Sequence, residues 1–258
     1  MKIHYDLQHV QEYVQQQRQL RLEDLEDQFE KTIQRIRKFK DIDSNTKILE
    51  VGTGSGWFPI LCQKNGISCE GLEICPQFIE YAKAFGRKYG IEPNIRLGNI
   101  EEAEIGTSRY DIVIALSTFE HVEHWQKGIE NIFHALKPGG LFYFYSTNRF
   151  ALLSAEYRFP FYGWLPDRWR YRIRTLRKGE DIMKLGIDFH QFDSFELRRF
   201  FRKLGFARVY DQFEVLDSTM LVKPTLLKAS VLKLVNHFRP IRCVALIFSP
   251  GTLFMCIK

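Results

Sequence analysis

The sequence predicts an α/β domain whose mostly parallel sheet carries helices on both faces. Three observations carry that expectation. From Lys47 onward, short apolar runs of strand type alternate with segments of helical periodicity. The first run leads straight into a glycine-rich turn, "ILEVGTGSGWF" at 48–58. A chain of 258 residues, 45% of them hydrophobic, can bury one large core and fits one domain with additions better than two.

Residues 1–40 read as helical, because Leu22, Leu25, Phe29, Ile33 and Ile36 recur at three- and four-residue steps between charged positions. The heptad is not sustained, so this N-terminal part (1–45) is expected to pack on the core domain (46–258) rather than on a partner helix. The core then reads as strand 47–51, helix 57–65, strand 67–73, helix 76–89, strands 94–97 and 110–116, helix 125–136 and strand 139–147. The rhythm breaks at 149–190, where aromatics and arginines mix around Pro160 and Pro166, so this stretch reads as a helical, aromatic-rich insertion. Helix 194–206 resumes the order, with Gly205 placed as a C-terminal cap, and "ARVYDQFEV" (207–215) supplies another strand. A second insertion, 224–239, holds the amphipathic helix "TLLKASVLKLVNHF" (225–238). Two short apolar strands split by "SPGT" (249–252) are expected after it.

The net charge of +6 is unevenly placed. Segments 149–178 and 223–258 each hold six more basic than acidic residues, which leaves the rest of the chain net acidic. The two basic segments therefore suit an anionic partner: a charged substrate, a membrane surface or nucleic acid. The five cysteines form no C-x-x-C pair and imply neither a disulfide framework nor a zinc cluster. No run approaches the roughly 20 apolar residues of a spanning helix, and the start is too polar for a signal peptide. A cytoplasmic protein is expected, with peripheral membrane contact as a further option.

Gly52, Gly54 and Gly56 give G-x-G-x-G, but Trp57 stands where the dinucleotide fingerprint needs its third glycine. A turn of this kind at the end of a parallel strand lets a ligand approach the backbone closely. Glu73 ends the next strand, where a carboxylate either accepts both hydroxyls of a ribose or stands solvated.

The ordered blocks "ILEVGTGSG", "GLEICPQFIEYAK", "GNIEE", "YDIVIALSTFEHV" and "LKPGGLFYFYSTNR" resemble the class I S-adenosylmethionine-dependent methyltransferases. The likeness is firm from Ile48 to Arg149 and looser to Val215. Within that superfamily, "FEHV" and "STNR" are similar to the O-methyltransferases of ubiquinone biosynthesis and to relatives acting on glycans and small metabolites. The resemblance implies a Rossmann-like fold, a seven-stranded sheet with a C-terminal antiparallel hairpin, and S-adenosyl-L-methionine as cofactor. It places Gly52, Gly54 and Gly56 under the methionine part, Glu73 on the ribose hydroxyls, Asn99 beside the adenine and Ile100 against its ring. Asn99 stands where the family usually has Asp, and its amide oxygen still accepts from the adenine amino group. Leu116 or Ser117 offers backbone groups to the methionyl moiety.

The implied reaction is methyl transfer to a small-molecule, lipid-linked or glycan-linked acceptor, at oxygen. The first candidate base is His121, which follows the fourth strand; the second is His190, in "DFHQF". Each has a structural alternative: His121 bonds its own loop, and His190 fastens the insertion to the core. "HVEH" (121–124) lacks a third ligand, so no metal is expected. The insertion reads as a substrate lid, with Trp164, Arg168, Arg170 and Arg172 meeting an anionic acceptor, or as a solvated basic surface. Helix 225–238 either lies on an anionic membrane or packs on its own sheet. RNA methylation is the weaker reading, since no RNA-binding module flanks the core. A non-catalytic protein retaining the fold would have no need of intact glycines and Glu73.

Overall fold

The structure is a computed structural model that describes residues 20–154, 159–178, 190–216 and 226–258. The first part of the expected N-terminal helix (1–19) and the stretches 155–158, 179–189 and 217–225 of the two insertions lie outside the described residues.

Seven strands form one sheet: β1 (Ile48–Val51), β2 (Cys69–Glu73), β3 (Asn94–Leu97), β4 (Tyr110–Leu116), β5 (Leu136–Thr147), β6 (Arg208–Asp211) and β7 (Gly251–Ile257). Their order is β3-β2-β1-β4-β5-β7-β6. β1 to β5 run parallel, and β7 lies antiparallel between β5 and β6. The predicted antiparallel hairpin is therefore the β6–β7 pair, closed by a long connection.

Both faces of the sheet are covered, as the β-type runs require. Ile48, Ile112, Ile114, Tyr143 and Met255 point to one side and meet Phe29, Ile33 and Ile36 of α1 (Glu26–Arg37). The same layer takes Phe58 and Leu61 of α2 (Trp57–Lys64) and Phe85 of α3 (Pro76–Arg87). Val51, Val113, Phe142, Phe144 and Phe254 point to the other side and meet Ile129 and Ile132 of α4 (Trp125–Ala135). The first insertion contributes α5 (Asp167–Lys178), preceded by a short 3₁₀ turn at Tyr162–Trp164. Beside α4, α6 (Ser194–Leu204) adds Leu197 and Phe201; Asp193 caps its start and Gly205, at φ 116°, ends it as the sequence predicts.

Two expectations change. "ARVYDQFEV" is a strand only to Asp211, because Asp211 and Glu214 form a capping box that starts the one-turn helix α7 (Gln212–Val215). After α8 (Leu226–His237), the first of the two expected C-terminal strands is instead α9 (Arg239–Phe248). Pro240 in its first turn suits a helix start, and "SPGT" lies at the helix-to-strand turn. The insertion at 149–190 is helical in part, as expected, through α5.

The chain order reverses between β1, whose partners run back through β2 and β3, and β4, which leads on to β5. In an open α/β sheet the crevice at such a switch point, outside the carboxyl ends of the strands, receives ligands.

Candidate active site

The glycine turn sits at that switch point. Gly52, Gly54 and Gly56 all have positive φ, at 70°, 52° and 72°. Their surroundings differ. A Cβ on Gly52 would overlap the Thr118 side chain, and one on Gly56 would come within 2.6 Å of Ala82 Cβ. Nothing lies within 4 Å of the corresponding position on Gly54. Two glycines thus serve the packing of the turn on β4 and α3, while Gly54 faces open space that a ligand can fill.

Four backbone amides of the turn are already bonded. Gly52 and Thr53 donate to Leu72 O (2.8 and 3.4 Å), and Gly56 donates to Thr53 O (2.9 Å). Gly54 donates to Glu73 Oε2 at 2.8 Å. Dinucleotide sites leave such amides for the pyrophosphate. This turn does not, which agrees with Trp57 in the sequence.

Glu73 is 4% exposed and accepts two further amides on Oε1, from Ile74 (2.9 Å) and Cys75 (3.0 Å). Burial pushes its carboxyl up, and the three amide bonds oppose that shift. The three amides fill both sites on Oε1 and one on Oε2, so the carboxylate is fixed in place and Oε2 can accept a further donor. Glu50, which the sequence reading passed over, lies beneath it. It is 3% exposed, takes a hydrogen bond from the Thr53 hydroxyl, and burial pushes its pKa up to about 8. An acidic residue in the middle of a buried strand was the signal in the sequence.

Asn99 is half-buried and its Oδ1 accepts from Glu101 N at 3.1 Å, so the side chain shapes its own turn. Ile100 is 4% exposed and lies against Gly128 of α4, so most of its side chain belongs to the core instead of an adenine wall. Leu97 was missed: it is 59% exposed, pairs with Glu73 across β2–β3, and shares a strand face with Ile95, which lies against Gly56. Leu116 is half-buried at the end of β4. Ser117 adopts φ 53° and gives its N–H to Tyr145 O (2.8 Å), leaving its carbonyl as the group it can offer. A non-glycine residue in the left-handed region at a strand end is a feature of constrained sites.

Beyond the ends of β4 and β5 lies a cavity of about 450 Å³, whose lining includes Trp125, Arg149, Trp164, Asp167, Arg170 and His190. His121 is half-buried just after β4, and its Nδ1 is buried with no hydrogen-bond partner among the described residues. His190 is braced: its N–H donates to Glu120 O (3.2 Å), and its Nε2 lies 2.9 Å from Glu123 O, a carbonyl that can only accept. That nitrogen carries the proton, and the ring fastens the insertion to the loop after β4. Glu120 is itself buried and accepts from Ser146 Oγ at 2.6 Å.

The four insertion residues separate. Arg170 is 5% exposed, bonds Asp167 Oδ1 at 2.6 Å and lies over the Tyr162 ring, so it anchors α5. Arg168 and Arg172 are exposed, and Trp164, 44% exposed, stands at the cavity wall. Among the described residues no group of three His, Cys, Asp or Glu is placed to hold a metal ion.

A family model described as a methyltransferase domain matches residues 16–210. The ubiquinone biosynthesis O-methyltransferase of Rickettsia canadensis is 29% identical over 154 residues, covering 57% of this chain and 64% of that protein. The chain spans less than two thirds of the length of the curated relatives it matches. Among solved structures, a methyltransferase bound to the Haloferax volcanii Trm112 methyltransferase activator superposes with a TM-score of 0.57 at 17% identity, covering 96% of each chain. A SAM-dependent methyltransferase from Archaeoglobus fulgidus gives a TM-score of 0.54 at 18% identity, covering 90% of this chain and 94% of the other. At such identities the structural likeness speaks for the fold.

Proposed function

Because the chain belongs to the methyltransferase-domain family, within the class I S-adenosylmethionine-dependent superfamily, we propose that it transfers a methyl group from S-adenosyl-L-methionine to a small acceptor at oxygen. The observation that carries this reading is the open space over Gly54, held 2.8 Å from the Glu73 carboxylate at the switch point of the sheet. A side chain would fill that cradle, and this chain leaves it clear. The cofactor, when bound, supplies an activated methyl on a sulfonium.

The residues of this chain do the rest. Glu73 accepts the ribose hydroxyls, and Gly52, Gly54 and Gly56 pass beneath the methionyl part. Asn99 and the missed Leu97 border the adenine, with Ile100 packed in the core behind them, and Leu116 and Ser117 border the methionyl end. The 450 Å³ cavity takes the acceptor, with Trp164 and Trp125 as apolar walls and Arg149 in its lining for a phosphate or carboxylate, while Arg168 and Arg172 are exposed on α5. Orientation and exclusion of water supply most of the acceleration. An acceptor hydroxyl must also lose a proton, and a base contributes about 10²–10⁴-fold. His121 is that base, because its ring has an unfilled nitrogen; His190 positions the loop, and Arg170 holds α5.

The basic segments favour an anionic acceptor that is lipid-linked or glycan-linked, and a peripheral association with membranes. Methyl-labelled S-adenosylmethionine added to a host extract, followed by separation into lipid, small-molecule, RNA and protein fractions, tests the proposal. Label should enter the lipid or small-molecule fraction. Label confined to RNA or protein, or no transfer at all, contradicts it.

A further inference from the structure

α8 and α9 carry a surface that the methyl-transfer reaction does not use. Val231, Leu234, Phe238, Ile241, Val244 and Phe248 follow one another at steps of three and four residues, running from one helix into the next. That spacing ordinarily marks the face a helix buries. Here the stripe faces solvent, with Val231 50%, Phe238 49% and Val244 54% exposed. The helices reach the core through other residues, Val235 and Leu246. Arg242 bonds Asp211 and Glu214, and Asn148 Nδ2 donates to the carbonyls of Leu246 and Ile247 (3.0 and 2.9 Å), so α9 is fixed with its stripe outward.

The flanks of the stripe are basic. Lys233 and Arg239 are exposed beside it, and the sequence has no acidic residue from Lys223 to Lys258. The stripe also reaches the cavity: Phe248 stacks on Trp164 with ring centroids 6.3 Å apart at 16°, and Trp164 lines the cavity. An apolar band with cationic borders matches an anionic bilayer, where rings and aliphatic side chains enter the acyl boundary and the cations meet phosphates. A second copy of the chain would bring two cationic borders together, which like-charge repulsion opposes. No described helix is long and apolar enough to cross a membrane, so the band would lie on the surface.

We propose that the α8–α9 face docks the protein on anionic lipid bilayers and sets the cavity rim at Trp164 against the lipid headgroups. Docking rests on this face and not on the reaction, so it is tested apart from methyl transfer. The full chain is floated with phosphatidylcholine vesicles and with mixed phosphatidylcholine–phosphatidylglycerol vesicles, and cofactor binding is followed separately by thermal shift with S-adenosylmethionine. The wild type should rise with the mixed vesicles and stay down with phosphatidylcholine alone. Val244→Asp, or Val231→Asp as an independent variant, should lower partitioning at least about tenfold by placing a charge in the apolar band. Lys233→Gln with Arg239→Gln should lower it about twenty-five-fold, at about fivefold for each charge removed. Each variant should keep the wild-type thermal shift. The proposal is overturned if the wild type stays down with both vesicles, if the aspartate variants float unchanged, or if the wild type is a dimer that Val244→Asp dissociates.

Discussion

The crevice around the glycine turn and the surface built by α5, α8 and α9 hold their chemistry in opposite ways. In the crevice, the backbone fixes everything: positive φ at three glycines, Glu73 held by three amides, and a left-handed Ser117. On the acceptor side, side chains do the work, with exposed aromatics at Phe161 and Trp164, exposed arginines, and an apolar stripe facing outward. A site that must hold one cofactor tolerates little change in backbone. A surface proposed to meet an acceptor and a bilayer needs only the right character of side chain. Substitutions in the crevice should therefore act on folding or cofactor binding, and those on the acceptor side on partners.

The sharpest break in the comparison comes from Gly56→Val. Its φ of 72° and the overlap with Ala82 should together cost about 2–5 kcal/mol in urea unfolding. Glu50 provides the next test. Its folded pKa of about 8 lies above the ordinary carboxyl value of 4.5, so the fold holds a proton that the unfolded chain releases in that window. Stability should fall as pH rises from 4.5 to 8, at up to about 1.4 kcal/mol per pH unit, and level off above. Glu50→Gln should flatten the profile, and equal slopes in the two proteins would refute this assignment.

Asn148→Ala carries the comparison to the other side. Its amide donates to Leu246 O, Ile247 O and Ser249 O, so removing it leaves the C-terminal end of α9 without those bonds. A loss of about 1–3 kcal/mol is expected, and cofactor affinity should stay unchanged in calorimetry. Gly54→Ala should have the smallest effect on folding, about 1–2 kcal/mol from its φ of 52° alone. Its effect on cofactor affinity should exceed tenfold, because the new methyl group enters the open cradle.

The succession of strands and helices, the parallel sheet and the glycine turn were legible in the sequence because each depends on local pattern: alternation of β-type runs with helices, and glycines where φ turns positive. Reading α9 as a strand failed for a physical reason. "IRCVALIF" is a short apolar run, and such runs do not distinguish strand from helix; Pro240 in the first turn was the available cue. The capping box at Asp211 and Glu214 was equally visible and was passed over. Leu97 depends on burial and on contacts between distant residues, which no spacing in one sequence reports; Glu50 was signalled only as an acid inside a strand, and the brace at His190 was one of the two readings the sequence left open. The exposed stripe of α8 and α9 carries the same periodicity as a buried one, so only the fold separates the two readings.

The central claim is that the Gly54–Glu73 cradle holds S-adenosylmethionine. Calorimetric titration of the full chain with S-adenosylmethionine and with NAD, repeated on Gly54→Val, tests it most directly. The wild type should bind S-adenosylmethionine saturably and NAD not at all, and Gly54→Val should lose binding while remaining folded by circular dichroism. Saturable NAD binding, or S-adenosylmethionine binding undiminished in Gly54→Val, would contradict it.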